Sequence, residues 1–433
     1  MVRPTRPTPP NAVTRRTFAV ASALAAPPIL NRQAWASGSD RRGDDEWHRW
    51  RGPSANNHAP PSAVAPPAID DQRIAWSIQV VGRGHSSPIV VGDAIYLTTA
   101  DEDPGTQSVL AFTRDGRWRW ETVVHRGGLP TENHRKNTEA SPTAAFDGRH
   151  LFVSFYNRDA IWLTSLTTAG EIRWQVAAGR YTPRRYQYGY AASPLIYGET
   201  VIVVGDYDGE AFMAAFDRDS GEQVWRVARP GNTSFSSPIV GHTGGRDQLL
   251  LSGGDRVAAY DPADGRTLWT APGATTMATC GTLVWDDQRV FASGGYPEAE
   301  TVCVASDGSG RVIWSNATKC YEQSMLVVDD HLYAVADNGV AYCWRCDDGT
   351  ERWKRRLGGA FSSSPVLAGD TIHVFNEAGQ GFAFEANPDR FVPWGLSQVG
   401  DEVFATPAVV GDTMYLRVAR KSPRRQEYLI AAR

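Results

Sequence analysis

A glycine followed four residues later by a tryptophan recurs six times along the chain, at Gly116/Trp120, Gly170/Trp174, Gly221/Trp225, Gly265/Trp269, Gly310/Trp314 and Gly349/Trp353. The copy at Ala214–Ala228 reads AAFDRDSGEQVWRVA, an apolar strand end, an Asp/Ser/Gly turn and a short strand carrying the indole. Trp76 and Trp394 stand in two further copies that keep only the tryptophan, and successive tryptophans are 39 to 54 residues apart. A period of that size marks a repeat architecture whose units stack because none can bury its apolar faces alone. Within the unit, glycine permits the positive φ of a tight turn, and a neighbouring Asp bonds its own backbone. The indole on the returning strand is expected to lie against the next repeat, a packing role rather than a functional one.

A second marker opens each repeat. Ser-Pro or Thr-Pro stands at residues 87–88, 141–142, 193–194, 237–238, 364–365 and 406–407, and Cys280-Gly281 and Ser324-Met325 take the matching places in two degenerate copies. Each opening leads into a short apolar strand, a Gly/Asp turn and a second apolar strand, with proline at a strand start where its missing N–H is tolerated. A third strand and the tryptophan strand complete a unit of four. The eighth opening, at Pro407, has only three strand candidates after it, and the missing one is available at Arg73–Val80 with Trp76. The sequence therefore predicts an all-β, eight-bladed propeller over Arg73–Arg433, closed by pairing N- and C-terminal strands. Closure of this kind removes exposed sheet edges.

Ahead of the repeats, residues 1–36 carry five Arg and no acid or Lys, and Thr14-Arg15-Arg16-Thr17-Phe18 runs into AVASALAAPPIL. A basic start, a modest apolar core and Ala34-Trp35-Ala36 read as an export signal of the twin-arginine type, cleaved near Ala36. The expected location is periplasmic or extracellular, with no transmembrane segment. Residues 37–72 read as a Pro-rich linker. Removing the five Arg from 44 basic residues leaves 39 against 48 acidic, a net charge of −9, which gives no general attraction to nucleic acid or anionic lipid. The five cysteines are too few and odd in number for a disulfide framework, although one or two bridges are open to the exported protein. Cys343 and Cys346 lie three apart in an apparent strand, so they face opposite ways and do not suit a shared metal.

The Gly-x-x-x-Trp turn, the Ser-Pro openings and the eight-fold count resemble the quinoprotein alcohol dehydrogenase-like propellers with PQQ-like repeats. The resemblance covers residues 73–433 and implies fold strongly and function weakly. That superfamily includes PQQ-dependent alcohol dehydrogenases and the propeller lipoprotein of the outer-membrane assembly machine. The Trp47-x-x-Trp50-Arg51-Gly52-Pro53 stretch and Lys136-Asn137-x-Glu139-Ala140-Ser141-Pro142 resemble more a set of exported planctomycete-type propellers without assigned activity. Dehydrogenases of this family use an adjacent Cys pair, calcium and an Asp base. The chain has no adjacent Cys pair, and no motif matches the calcium ligands. Ser37 stands where the assembly lipoprotein carries its lipid-bearing Cys. The expectation is a non-catalytic exported scaffold, monomeric and without cofactor, that binds an envelope protein or glycan. The alternative is a PQQ- and calcium-dependent alcohol or sugar dehydrogenase.

Departures from the repeat suggest where binding occurs. The chain takes 11 to 13 residues from each tryptophan to the next opening, except 22 from Trp120 to Pro142 and 20 from Trp174 to Pro194. These two connections carry His134, Lys136, Arg184, Arg185, Tyr188 and Tyr190, basic and aromatic residues suited to a recognition surface. Aligned by their openings, the residues three before each proline are expected to ring the axial mouth: His85, Glu139, Ala191, Phe235, Ala278, Glu322, Ser362 and Phe404. In that reading His85, Glu139 and Glu322 join the long loops in one pocket for a cation or a polar ligand. No residue is assigned a catalytic or metal-binding role.

Overall fold

The computed structural model describes residues 46–253, 255–274 and 277–433. The expected export signal, residues 1–36, and the first part of the expected linker lie outside them. Among the described residues there is no helix long and apolar enough to cross a membrane. The strands form eight four-stranded antiparallel sheets, seven of them in simple meander order. The eighth blade joins Ala408–Val410, Thr413–Arg420 and Gln426–Ala432 to Ile74–Val80 from the other end of the described chain. Ile78 pairs with Leu429 and Val80 with Glu427, and the Arg433 N–H donates to the Arg73 carbonyl.

The repeat tryptophans hold neighbouring blades together. A Cβ placed on Gly221 (φ +78°) would stand 2.8 Å from Trp174 of the preceding blade, and Gly116 (φ +84°) meets Trp76 in the same way. The indole N–H then donates to a carbonyl of that neighbouring turn: Trp76 to Arg114 (3.0 Å), Trp120 to Thr168 (3.1 Å), Trp174 to Arg218 (3.2 Å), Trp314 to Cys346 (2.9 Å) and Trp353 to Asn387 (2.8 Å). Asp217 stabilises its turn by accepting the N–H groups of Asp219 (3.0 Å) and Ser220 (2.8 Å). One device was not read from the sequence. The ladder skips one residue of the outer strand in every blade, so that Gln223 pairs with Phe216 and Trp225 with Ala215. In the six copies with the turn glycine this bulge lies between the glycine and the indole, where it bends the strand and re-aims the ring.

Two repeat tryptophans depart from the expected packing. Trp269 is buried at the interface with the next blade, but its N–H turns back to Gln248 Oε1 (2.6 Å) of its own blade instead of the neighbouring turn. Trp394 is itself the skipped residue, because Pro393 pairs with Phe384 and Gly395 with Ala383. Its side chain is 56% exposed, and Gly395 fills the place of the indole against Pro67 and Ala68. The reason is topological: in the closing blade the third and fourth strands are the two chain ends, so no turn is there to receive a ring.

Residues 46–72, expected as linker, form from Glu46 onward an arm on the inner strands. Trp47 exchanges two backbone hydrogen bonds with Val90, Ala59 and Asn57 bond Leu367, and Phe146 donates to the His48 carbonyl. Arg51 is fully buried; its guanidinium donates to the carbonyls of Thr282 (3.2 Å) and Met325 (2.7 Å). Inner strands present an unpaired backbone edge to the axis, and buried carbonyls need donors. The arm supplies them from the end of the ring that carries the first-to-second-strand turns, as contacts with Gly92 and Gly411 place it.

The apolar core is distributed as clusters at the blade interfaces, including Leu326, Tyr333, Cys343, Phe361, Val374 and Phe384 between blades six and seven. Cys343 belongs to this cluster and Cys346 to the one on the other side of its blade, so the two thiols face opposite ways as expected. All five cysteines are free.

Gly221→Ala is expected to destabilise the protein by about 1–3 kcal/mol through indole overlap and positive-φ strain. Gly198→Ala, with φ +53° and nothing within 4 Å of the added carbon, supplies the strain-only control, and thermal unfolding of both variants separates the two effects. Acid should also weaken the fold. Burial lowers His373 to about 4 and, with Arg158 adding to it, His125 to about 4. The unfolded chain binds protons at these sites from about pH 6.5, whereas the folded one resists until about 4, so stability falls as pH drops through that window. The slope of Tm against pH between 7 and 4.5 should flatten in His373→Leu.

Candidate functional site

Because each blade has four antiparallel strands, the connections between blades share one end of the ring with the second-to-third-strand loops. At the blade openings, backbone N–H groups donate to the hydroxyl of the next blade. Ser87 donates to Thr143 (2.9 Å), Thr143 to Ser193 (3.0 Å) and Ser193 to Ser237 (3.0 Å). Thr282 donates to Ser324 (3.0 Å), Ser324 to Ser364 (2.9 Å) and Ser364 to Thr406 (3.0 Å). These links fix the true register of the openings. In blades two and five the hydroxyl is Thr143 and Thr282, two residues later than the sequence alignment placed it. The ring of mouth residues is therefore corrected to His85, Ser141, Ala191, Phe235, Cys280, Glu322, Ser362 and Phe404. Glu139 and Ala278 drop out of it. Ser141 was misread because its hydroxyl closes a local turn with Asn137 and Thr138 rather than joining the inter-blade chain.

Glu139 instead accepts from Asn133 Nδ2 (2.9 Å) inside its own loop. The charge that reaches across the mouth is Lys136. Its Nζ lies 2.6 Å from Glu377 Oε1 and 3.8 Å from Glu322 Oε1, both on blades across the ring. The Ser362 hydroxyl sits between Glu322 and Glu377, 2.9 Å from the latter. The first long loop thus folds over the axis and is pinned there. Burial raises the Glu322 carboxyl above its usual range, with Ser362 and Lys136 opposing. Burial alone would lower Lys136, but the Glu377 hydrogen bond and the charges of Glu322, Glu377 and Asp337 outweigh it, and the ammonium is held more firmly charged.

His85 stacks on Phe404, with centroids 4.4 Å apart and planes at 12°. Burial, together with Arg83, Arg417 and Arg425, holds its imidazole well below the usual value despite a hydrogen bond to the Lys136 backbone, so it is neutral at physiological pH. Among the described residues no group of three or more His, Cys, Asp or Glu is placed to hold a metal ion.

The two long loops meet in an open cleft of about 400 Å³, lined by Glu132, Asn133, His134, Arg135, Arg184, Tyr186, Gln187 and Tyr188. His134 packs on Tyr188 at 4.7 Å, Tyr188 on Phe235 at 6.2 Å, and Asn137 Nδ2 donates to the Tyr188 carbonyl, which ties loop to loop. Asp208 accepts the backbone N–H groups of Arg184 (2.8 Å) and Arg185 (2.9 Å) and sets the second loop's course. Of the expected residues, His134, Arg184 and Tyr188 line this cleft, and His85, Lys136 and Glu322 belong to the adjoining axial network. Arg185 is exposed and outside the lining. Tyr190 is framework, buried with its hydroxyl on the Val204 carbonyl (3.0 Å). Sequence reasoning missed Glu377, whose loop has ordinary length and comes opposite Lys136 only through ring closure. Lys136→Met should release the first loop, and amide hydrogen exchange over residues 130–140 should rise about tenfold or more with little change in global Tm.

A family profile described as "Outer membrane protein assembly factor BamB" matches residues 105–355 and 298–422. The protein of that name from Bordetella pertussis is 26% identical over 322 residues, covering 70% of this chain and 73% of its own. Its namesake from Burkholderia pseudomallei is 24% identical over 378 residues, covering 73% of this chain and 89% of its own. Among solved structures, BamB from Moraxella catarrhalis superposes with a TM-score of 0.60 at 16% identity, over 83% of this chain and 97% of that one. A europium-containing methanol dehydrogenase gives 0.69 at 11%, over 90% and 98%. These superpositions speak for the fold alone. With its PQQ-like repeats matched across most of the propeller, the chain belongs to the family described by the outer-membrane assembly factor BamB.

Proposed function

We propose that this protein is an exported, non-catalytic scaffold of the cell envelope that binds a protein partner at the end of the ring carrying the two long loops. The observation that carries this reading is the Lys136 bridge to Glu377 and Glu322. The axial mouth, where an enzyme of this fold would need room for a cofactor and substrate, is spanned by a side chain whose ammonium engages Glu377 and Glu322. A quinone held by calcium does not fit these residues: the chain has no adjacent Cys pair, and among the described residues no group of three or more His, Cys, Asp or Glu is placed to hold the ion. The membership of a family named for an assembly factor supports a scaffold, as do loops extended only where blades one to three meet. Export by a twin-arginine signal and a periplasmic or extracellular location belong to the same proposal.

The test places a photo-crosslinking amino acid at Tyr186 and, as control, at Ile172 on an outer strand. A discrete protein adduct in the native envelope from Tyr186 alone is expected. Equal labelling from both positions would remove the loops as the docking face. Incubation with PQQ and calcium, read by absorbance and dye-linked alcohol oxidation, tests the enzyme alternative; stoichiometric binding with turnover would overturn the scaffold.

A further inference from the structure

The cleft between the long loops has an unequal charge. Arg135 and Arg184 both line it, and among the described residues neither guanidinium has a carboxylate partner. Glu132 stands on the same wall without an ion pair to either. In the axial network beside it, by contrast, the cation Lys136 is paired directly, with Glu377 at 2.6 Å and Glu322 at 3.8 Å. Two guanidiniums against the single carboxylate of Glu132 leave the wall net positive and suited to an arriving carboxylate, because the planar fork loses little freedom when it engages one.

The cleft continues into an apolar ridge. Tyr186 reaches Met277, with its hydroxyl 3.6 Å from the sulfur, and packs edge-on against Tyr296 at 6.4 Å. Met277 is 38% and Tyr296 50% exposed. A sugar would need an open ring face, but Tyr188, although 36% exposed, is already engaged by His134, Tyr186 and Phe235. A thioether and ring edges beside a basic wall favour instead a side chain of mixed acidic and apolar chemistry. Met and Tyr at an exposed ridge are adaptable protein-contact residues.

We propose that this cleft and ridge receive an acidic segment of a protein partner, its carboxylates paired with Arg135 and Arg184 and an adjoining apolar side chain laid on Tyr186, Met277 and Tyr296. The inference rests on the proposed scaffold role and names the chemistry of the partner at that same site. The protein's overall negative charge makes the local positive wall the selective feature. Steering by it weakens with salt.

The probe is a fluorescein-labelled synthetic peptide alternating Glu or Asp with Leu or Phe, titrated against the full chain by fluorescence anisotropy. The isosteric Gln/Asn peptide and an oligogalacturonate serve as comparisons. Binding of the acidic peptide is expected, at least about tenfold tighter than its amide counterpart and weaker at 0.3 M than at 0.05 M salt. The double variant Arg135→Gln/Arg184→Gln should lose about tenfold or more at unchanged Tm, and Met277→Ser/Tyr296→Ser should weaken binding with its salt dependence kept. Equal binding of the amide peptide overturns the proposal, as does indifference to both double variants. Tighter binding of the oligogalacturonate makes the site a glycan site. If the Tyr186 crosslink forms but the acidic peptide fails, only the partner chemistry is wrong. If neither occurs, the scaffold reading fails with it.

Discussion

The structure depends on one repeated contact, an indole laid over the glycine turn of the next blade. A single meander of four strands has two apolar faces and little else, so its stability is a matter of neighbours. The turn glycine serves both partners: its positive φ closes the hairpin, and its missing Cβ makes room for the ring. The indole N–H then satisfies a turn carbonyl that the tight geometry leaves without a ladder partner. The bulge between glycine and tryptophan completes the device by turning the ring outward from its own sheet. Where the neighbouring turn is missing, at the closing blade, the indole is missing from its slot as well.

The axis presents the opposite problem. Eight inner strands converge with unpaired backbone edges, and three different solutions meet there. Hydroxyls at the openings accept N–H groups from the preceding blade. The arm from Glu46 onward supplies backbone and side-chain donors at the turn end, with Arg51 buried against two carbonyls. Burial without a carboxylate partner pulls that guanidinium down to about 9, which shows how much desolvation the site imposes. At the other end Lys136 spans the mouth and meets acids of blades six and seven. Both ends of the axis are thereby engaged by segments the repeat pattern does not contain.

Outside those two closures, the outer part of the long loops forms an open cleft. The first loop is pinned at Lys136 and the second at Asp208, and the cleft lies between the two anchor points. Attachment at those two points presents Arg135 and Arg184 in the lining of the cleft. A propeller offers this arrangement cheaply, because the ring supports loops of any length without altering the blades.

The sequence by itself determined the blade. The glycine-to-tryptophan spacing, the four strands per unit, the eight openings and the borrowed strand at Arg73–Val80 are all local patterns, and local turn geometry fixes them. The two long connections were equally legible, because a departure from a fixed period is visible without coordinates. What only the tertiary structure decided depends on residues far apart in the chain. Ser141-Pro142 looks like every other opening, yet Thr143 carries the inter-blade hydrogen bond, since a competing local turn takes the serine. Trp394 looks like every other indole, yet a one-residue bulge puts Gly395 in its place. Lys136 meets Glu377 across 241 residues of sequence, and the arm finds its carbonyls only once the ring exists. Periodicity reports which faces a strand must bury; it carries no information about which side chains meet across an axis, because ring closure alone sets those distances.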